Sequence, residues 1–165
     1  MYKRGGHNHD CYSSKTRGGK GVSDSLNIGL ILIDDSFIDR TIVSKNMGLF
    51  YPNMPFLSFD SALDALKEAK ESTLLPEVDY RVILLDIYMP EMNGFAFVDA
   101  FSQLPKDELD KYCVFMLSSS IDGGDMDKVA GRSVVKKFIS KPLNGDVLKD
   151  VMIWAKLAYS DLKEH

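Results

Sequence analysis

Short apolar stretches alternate along this chain with segments whose apolar residues recur at helical spacing. Asn27–Ile33 (NIGLILI) is a run without polar alternation, the pattern of a strand covered on both faces. Beyond Asp34 and Asp35, the stretch Ser36–Met47 places Phe37, Ile38, Ile42, Val43 and Met47 at near-helical intervals, and Gly48 is expected to stop that helix. Pro55–Phe59 reads as a short second strand. Ser61–Lys70 (SALDALKEAK) is the clearest helix, with Ala62, Leu63, Leu66 and Ala69 on one side and good helix formers throughout.

The second half repeats the alternation. Tyr80–Asp86 (YRVILLD) is a third strand ending in an aspartate. Tyr88-Met89-Pro90 forces an extended turn, and Gly94 opens a helix to about Leu104. Residues 105–111 (PKDELDK) read as a polar connection. Tyr112–Leu117 and Val134–Ile139 are the fourth and fifth strands, and a long helix from Leu143 to about Tyr159 follows. Strands and helices joined this closely imply an α/β fold, a doubly wound parallel sheet of five strands with helices on both faces.

Two helices carry local oddities. Gly123 and Gly124 stand where the helix after the fourth strand should begin, and each costs about 1 kcal/mol of propensity relative to alanine. Its first turn is therefore expected to be missing or mobile. In the last helix, Val147, Leu148, Val151, Ala155 and Ala158 form a core stripe, while Met152, Ile153, Trp154, Leu157 and Tyr159 spread apolar surface beyond it. That excess points to a partner surface or to self-association as a homodimer.

The chain has 165 residues, 45% apolar and 27% charged, an ordinary globular composition for one domain. No run of about 18 uncharged apolar residues exists, so no membrane span is expected, and the basic start lacks the apolar stretch of a secretory signal. Two cysteines, Cys11 and Cys113, make no disulfide scaffold, and a cytoplasmic location is expected. The net charge of −4 is uneven: residues 1–26 hold five basic side chains against two acidic, a local +3 that leaves −7 on the rest. An acidic body argues against nucleic acid as a partner. Residues 1–26 read as a flexible basic leader, 27–160 as the folded domain and 161–165 as a tail. Within the leader, His7, His9, Asp10 and Cys11 could ligate a transition metal, but no second ligand pair follows at a usable spacing.

In a parallel sheet all strand carboxyl ends share one edge, where ligands bind. The polar residues that follow strands one, three, four and five are Asp34-Asp35, Asp86, Ser118 and Lys141. Three gathered carboxylates repel unless a cation joins them. Oxygen ligands without histidine or cysteine suit a hard divalent ion, above all Mg2+. Lys141 and Ser118 add a point charge and a hydroxyl, complements of a phosphoryl group. Asp35 alone serves equally well as a helix N-cap. Pro142, suited to a first helical turn, directs Lys141 toward the same edge.

The segments IDDS (33–36), LLDIYMPEMNG (84–94), MLSSS (116–120) and FISKPL (138–143) resemble, in order and spacing, the receiver domain of two-component response regulators, and look like the single-domain receivers of Bacteroidetes-type bacteria. The resemblance covers roughly residues 27–160 and implies a flavodoxin-like sheet of order 2-1-3-4-5. It makes Asp86 the phosphoacceptor. Asp35 becomes a direct Mg2+ ligand, Asp34 acts through a bound water, and the Tyr88 carbonyl is the remaining protein ligand. Ser118 takes the place of the hydroxyl residue that meets the phosphoryl group, Lys141 pairs with its oxygens, and Phe138 matches the switch aromatic. Strand periodicity alone reads Phe138 as simple packing.

The implied donor is a sensor histidine kinase or histidine phosphotransfer protein, and the output passes to a downstream protein partner or onward in a relay. The Tyr88 ring, close to the acceptor, is expected to limit water access. A haloacid-dehalogenase-type hydrolase would need a D-x-D pair after the first strand, where Asp34 and Asp35 are adjacent. A degenerate receiver serving as a phosphorylation-independent docking module is the remaining alternative; the complete set Asp34, Asp35, Asp86, Ser118 and Lys141 speaks against it.

Overall fold

The structure is a computed structural model and describes residues 25–165. The cluster of His7, His9, Asp10 and Cys11, with all of the expected leader before Ser25, lies outside the described residues. The elements run β1 (Ile28–Ile33), α1 (Phe37–Phe50), β2 (Phe56–Phe59), α2 (Ala62–Lys70), β3 (Tyr80–Asp86), α3 (Gly94–Phe101), α4 (Lys106–Leu109), β4 (Tyr112–Ser118), α5 (Gly123–Lys128), β5 (Val135–Ser140) and α6 (Gly145–Lys163).

Five parallel strands form one sheet in the order β2-β1-β3-β4-β5. Every residue of β1, β3 and β4 is buried, which is why Ile28–Ile33, residues 82–85 and residues 112–117 read as apolar runs, while the edge strands β2 and β5 are only partly covered. Alternation along each strand sorts side chains between two layers. Ile31, Ile33, Ile83 and Leu85 pack with α2 and α3 on one face; Leu30, Leu32, Val82 and Leu84 pack with α1 and α6 on the other. The chain leaves β1 toward β2 on one side and later returns to β3 on the other. The crevice opened by that reversal lies at the carboxyl ends of β1 and β3.

Several local expectations change. Gly48 lies inside α1, which continues to Phe50 and closes where the Tyr51 N–H donates to the Met47 carbonyl at 2.8 Å. A mid-helix glycine with open space around it costs only about 1 kcal/mol and does not break the ladder. Of the α1 stripe only Val43 and Met47 are buried; Phe37, Ile38 and Ile42 face outward because the helix meets the sheet along a narrower seam. The polar connection contains one helical turn, α4, with Lys106 on Asp110 and Lys111 on Glu108, both at 2.6 Å. The two glycines do begin α5, since Asp122 caps it by accepting from the Asp125 N–H at 3.1 Å, but the helix has just six residues.

Pro142 stands outside α6, after a cis Lys141–Pro142 bond, and Asn144 is the cap. The helix runs to Lys163, past its expected end near Tyr159. Met152 belongs to its buried face, whereas Ile153 and Leu157 are exposed. Trp154 is half-buried beneath the Lys137 ammonium, 3.9 Å from the ring centroid.

Candidate functional site

Strand register brings the acidic residues together. The β1–β3 ladder ends with Ile33 opposite Leu85, so Asp34 and Asp86 follow at the same level on adjacent strands. Asp34, Asp35 and Asp86 each offer a carboxylate oxygen within 4.8 Å of the others. Asp34 and Asp86 are buried, while Asp35 is exposed at the lip. The helix cap belongs to Ser36, whose hydroxyl accepts from the Asp39 N–H at 3.2 Å, leaving the Asp35 carboxylate free of that task.

Asp34 is held from several directions. Its Oδ1 accepts from the Ser36 N–H at 2.9 Å, and its carbonyl accepts from Arg40 Nη1 at 2.8 Å. Its fully buried Oδ2 is ion-paired with Lys141 Nζ at 2.7 Å. A buried carboxylate oxygen needs such a counter-charge, since burying it alone is costly.

Lys141 reaches the crevice from the end of β5, where its N–H donates to the Ser118 carbonyl at 2.9 Å. Its ammonium donates to Asp39 Oδ2 at 2.9 Å and lies 3.5 Å from Asp86 Oδ1. Burial alone would lower the Lys141 pKa; contacts with Asp34 and Asp39 outweigh it and hold the group above the usual lysine value. Asp86 moves from 3.8 to about 6. Burial is the main cause, followed by the Asp34 charge and more weakly Asp35, against the opposing pull of Lys141 and the Tyr88 backbone N–H.

Three converging carboxylates, two of them buried, and a raised acid fit a hard divalent cation, with oxygen donors and no soft ligand. Asp39 is a member of the site that the strand-end argument missed. It lies in the first turn of α1, which follows directly on the Asp34-Asp35 pair, and that nearness along the chain is the signal that could have found it.

Ser118 ends β4 fully buried, with its hydroxyl donating to the Ser120 carbonyl and accepting from the Ser120 N–H at 3.2 Å. Phe138 is half-buried opposite Met116 and packs into the α2–α3 layer. The Tyr88 side chain is 60% exposed beyond the end of β3.

The family model of the response regulator receiver domain matches residues 30–153. The chain belongs to that family. A two-component response regulator from Cytophaga hutchinsonii is 25% identical with a TM-score of 0.66, covering 85% of this chain and 99% of that one. A response regulator receiver protein from Dyadobacter fermentans is 26% identical with a TM-score of 0.65, covering 77% and 97%. The sensor histidine kinase CheAY of Helicobacter pylori is 27% identical over 145 residues, which are 85% of this chain but 16% of that protein. This receiver thus spans about one-sixth of the length of that relative. Among the described residues no helix is long and apolar enough to cross a membrane.

Proposed function

We propose that this receiver accepts a phosphoryl group from a phosphohistidine onto Asp86 and uses the modified site to switch a protein-contact surface. The observation that carries the reading is the meeting of Asp34, Asp35 and Asp86 with an ammonium 2.7 Å from Asp34 and 3.5 Å from Asp86. The Asp86 carboxylate attacks phosphorus in line. An O–P bond forms, the P–N bond breaks, and its electron pair returns to the donor imidazole, which then takes a proton from water. With a pKa of about 6, Asp86 is mostly ionised at neutral pH and needs no base.

Asp34, Asp35, Asp86 and the Tyr88 carbonyl are the groups that would hold Mg2+. When bound, the ion supplies positive charge against the transferring phosphoryl oxygens. Lys141 offsets the same charge from the other side of the crevice. Ser118 would leave Ser120 and turn its hydroxyl to the phosphoryl group, and Phe138 would move into the space released between β4 and β5. The partners are a histidine kinase or histidine phosphotransfer protein upstream and a protein downstream. A cytoplasmic setting accompanies this reading, and the buried free thiol of Cys113 is compatible with it.

Incubation with acetyl phosphate or a phosphorylated donor and Mg2+ is expected to label the protein, and Asp86→Asn to abolish the label. Acyl phosphate retained on another residue of the variant would overturn the assignment.

A further inference from the structure

We propose that Asp39 is a positioning residue that competes with the phosphoryl group for the Lys141 ammonium, and so limits how strongly the phosphorylated state is held. The inference rests on the phosphoryl-transfer reading of this site. An ammonium has three donors, and here three carboxylates surround it: Asp34 at 2.7 Å, Asp39 at 2.9 Å and Asp86 at 3.5 Å. The ammonium donates a hydrogen bond to Asp39, on the α1 side of the site. Asp39 therefore draws the ammonium toward α1, and the acceptor carboxylate Asp86 receives the longest contact.

A phosphoryl group on Asp86 adds oxygens and negative charge that require a donor from Lys141. To supply it the ammonium must move toward Asp86, and one of its two short contacts, Asp34 at 2.7 Å or Asp39 at 2.9 Å, must lengthen. Asp34 is fully buried, and losing the ammonium would leave its Oδ2 with neither hydrogen bond nor counter-ion. The Asp39 side chain is 29% exposed on α1 and can take water in exchange. The pair lies in a cleft lined by Ile42, Val43 and Leu143, whose apolar walls strengthen the contact that has to be broken. The unphosphorylated state keeps the Asp39–Lys141 bond and the phosphorylated state gives it up. Removing the Asp39 charge also removes a repulsion on the incoming group.

Beryllofluoride with Mg2+ serves as the phosphoryl probe on the full chain, with affinity read by calorimetry and the Lys141 ammonium by nitrogen-15 NMR. Asp39→Asn is expected to bind beryllofluoride about five- to tenfold more tightly, the scale of one charge-assisted contact in a partly exposed site. It should also shift the Lys141 ammonium signal of the free protein in the direction produced by beryllofluoride in the wild type. Asp39→Glu, which keeps charge and acceptor, should stay within about twofold of wild-type affinity. Unchanged or weaker binding by Asp39→Asn, an unmoved Lys141 signal, or equal tightening by Asp39→Glu would each overturn the proposal. If the wild type binds no beryllofluoride, the phosphoryl reading fails and this inference with it. A Lys141 signal that still responds to Asp39→Asn would then identify the former as the failed step.

Discussion

Gly94 lies directly against the backbone of Asp86. A Cβ built on it would stand 2.7 Å from the Asp86 carbonyl oxygen and 3.0 Å from the Ile87 Cα, and the Gly94 N–H donates to the Ile87 carbonyl at 2.8 Å. The first turn of α3 is thus seated on the strand end that carries Asp86, and a side chain there must push backbone rather than a flexible tip. Gly94→Ala is expected to cost about 1–3 kcal/mol in urea unfolding and to weaken Mg2+ binding at the same time. Wild-type stability in this variant would mean that the contact is slack.

Asp86 sets a pH dependence of stability whose sign is opposite to that of a salt-bridged carboxylate. Its pKa is raised in the folded protein from 3.8 to about 6, so the folded state binds the proton more tightly than the unfolded state. This group therefore costs no stability below about pH 4, costs progressively more as pH rises to about 6, and a constant amount above. Without divalent ions, Asp86→Asn should be more stable than the wild type at pH 7 by on the order of 2 kcal/mol, and the difference should vanish near pH 4. Thermal melts across that range in chelator provide the measurement. Added Mg2+ should raise the wild-type midpoint and leave the variant nearly unmoved.

The Tyr88 ring, 60% exposed beyond the end of β3, has little packing of its own to lose. Tyr88→Ala is expected to leave the melting temperature within a degree or two and to shorten the lifetime of the acyl phosphate severalfold, by opening the site to water. Decay of the labelled protein at fixed Mg2+ reads it, and an unchanged rate would make the ring kinetically irrelevant.

At Gly123, the opening residue of α5, a Cβ would meet nothing within 4 Å and the backbone needs no left-handed geometry. Gly123→Ala should therefore stabilise the fold by about 0.5–1 kcal/mol, chiefly by restricting the unfolded chain. Asp122→Ala should act in the other direction by about 1 kcal/mol, since it removes the cap that holds the glycine-rich turn. Urea midpoints separate the two signs, and amide exchange over residues 123–128 should slow in the first variant and quicken in the second.

What could be read in advance followed from covalent order and from burial. β1, β3 and β4 are central and covered on both faces, so their sequences had no polar alternation to confuse with anything else. The half-covered β5 and the glycine-rich α5 were harder to delimit, because their apolar content is low and their geometry depends on caps. Met152 shows a related ambiguity: a 19-residue helix offers several apolar stripes, and contact with the sheet selects among them. The exposed Phe37 and Ile38 show the same ambiguity from the other side.

By itself the amino-acid sequence determined the parallel sheet and the positions of Asp34, Asp35, Asp86 and Lys141 near strand ends, because a strand's last residue must emerge at the sheet edge. Only the tertiary structure decided which aspartate is buried, which oxygen of Asp34 pairs with Lys141, and that Asp39 shares the Lys141 ammonium. Those outcomes depend on angles and distances between α1, β1 and β5, segments as much as 102 residues apart in the chain, and packing of separate elements sets them rather than local spacing.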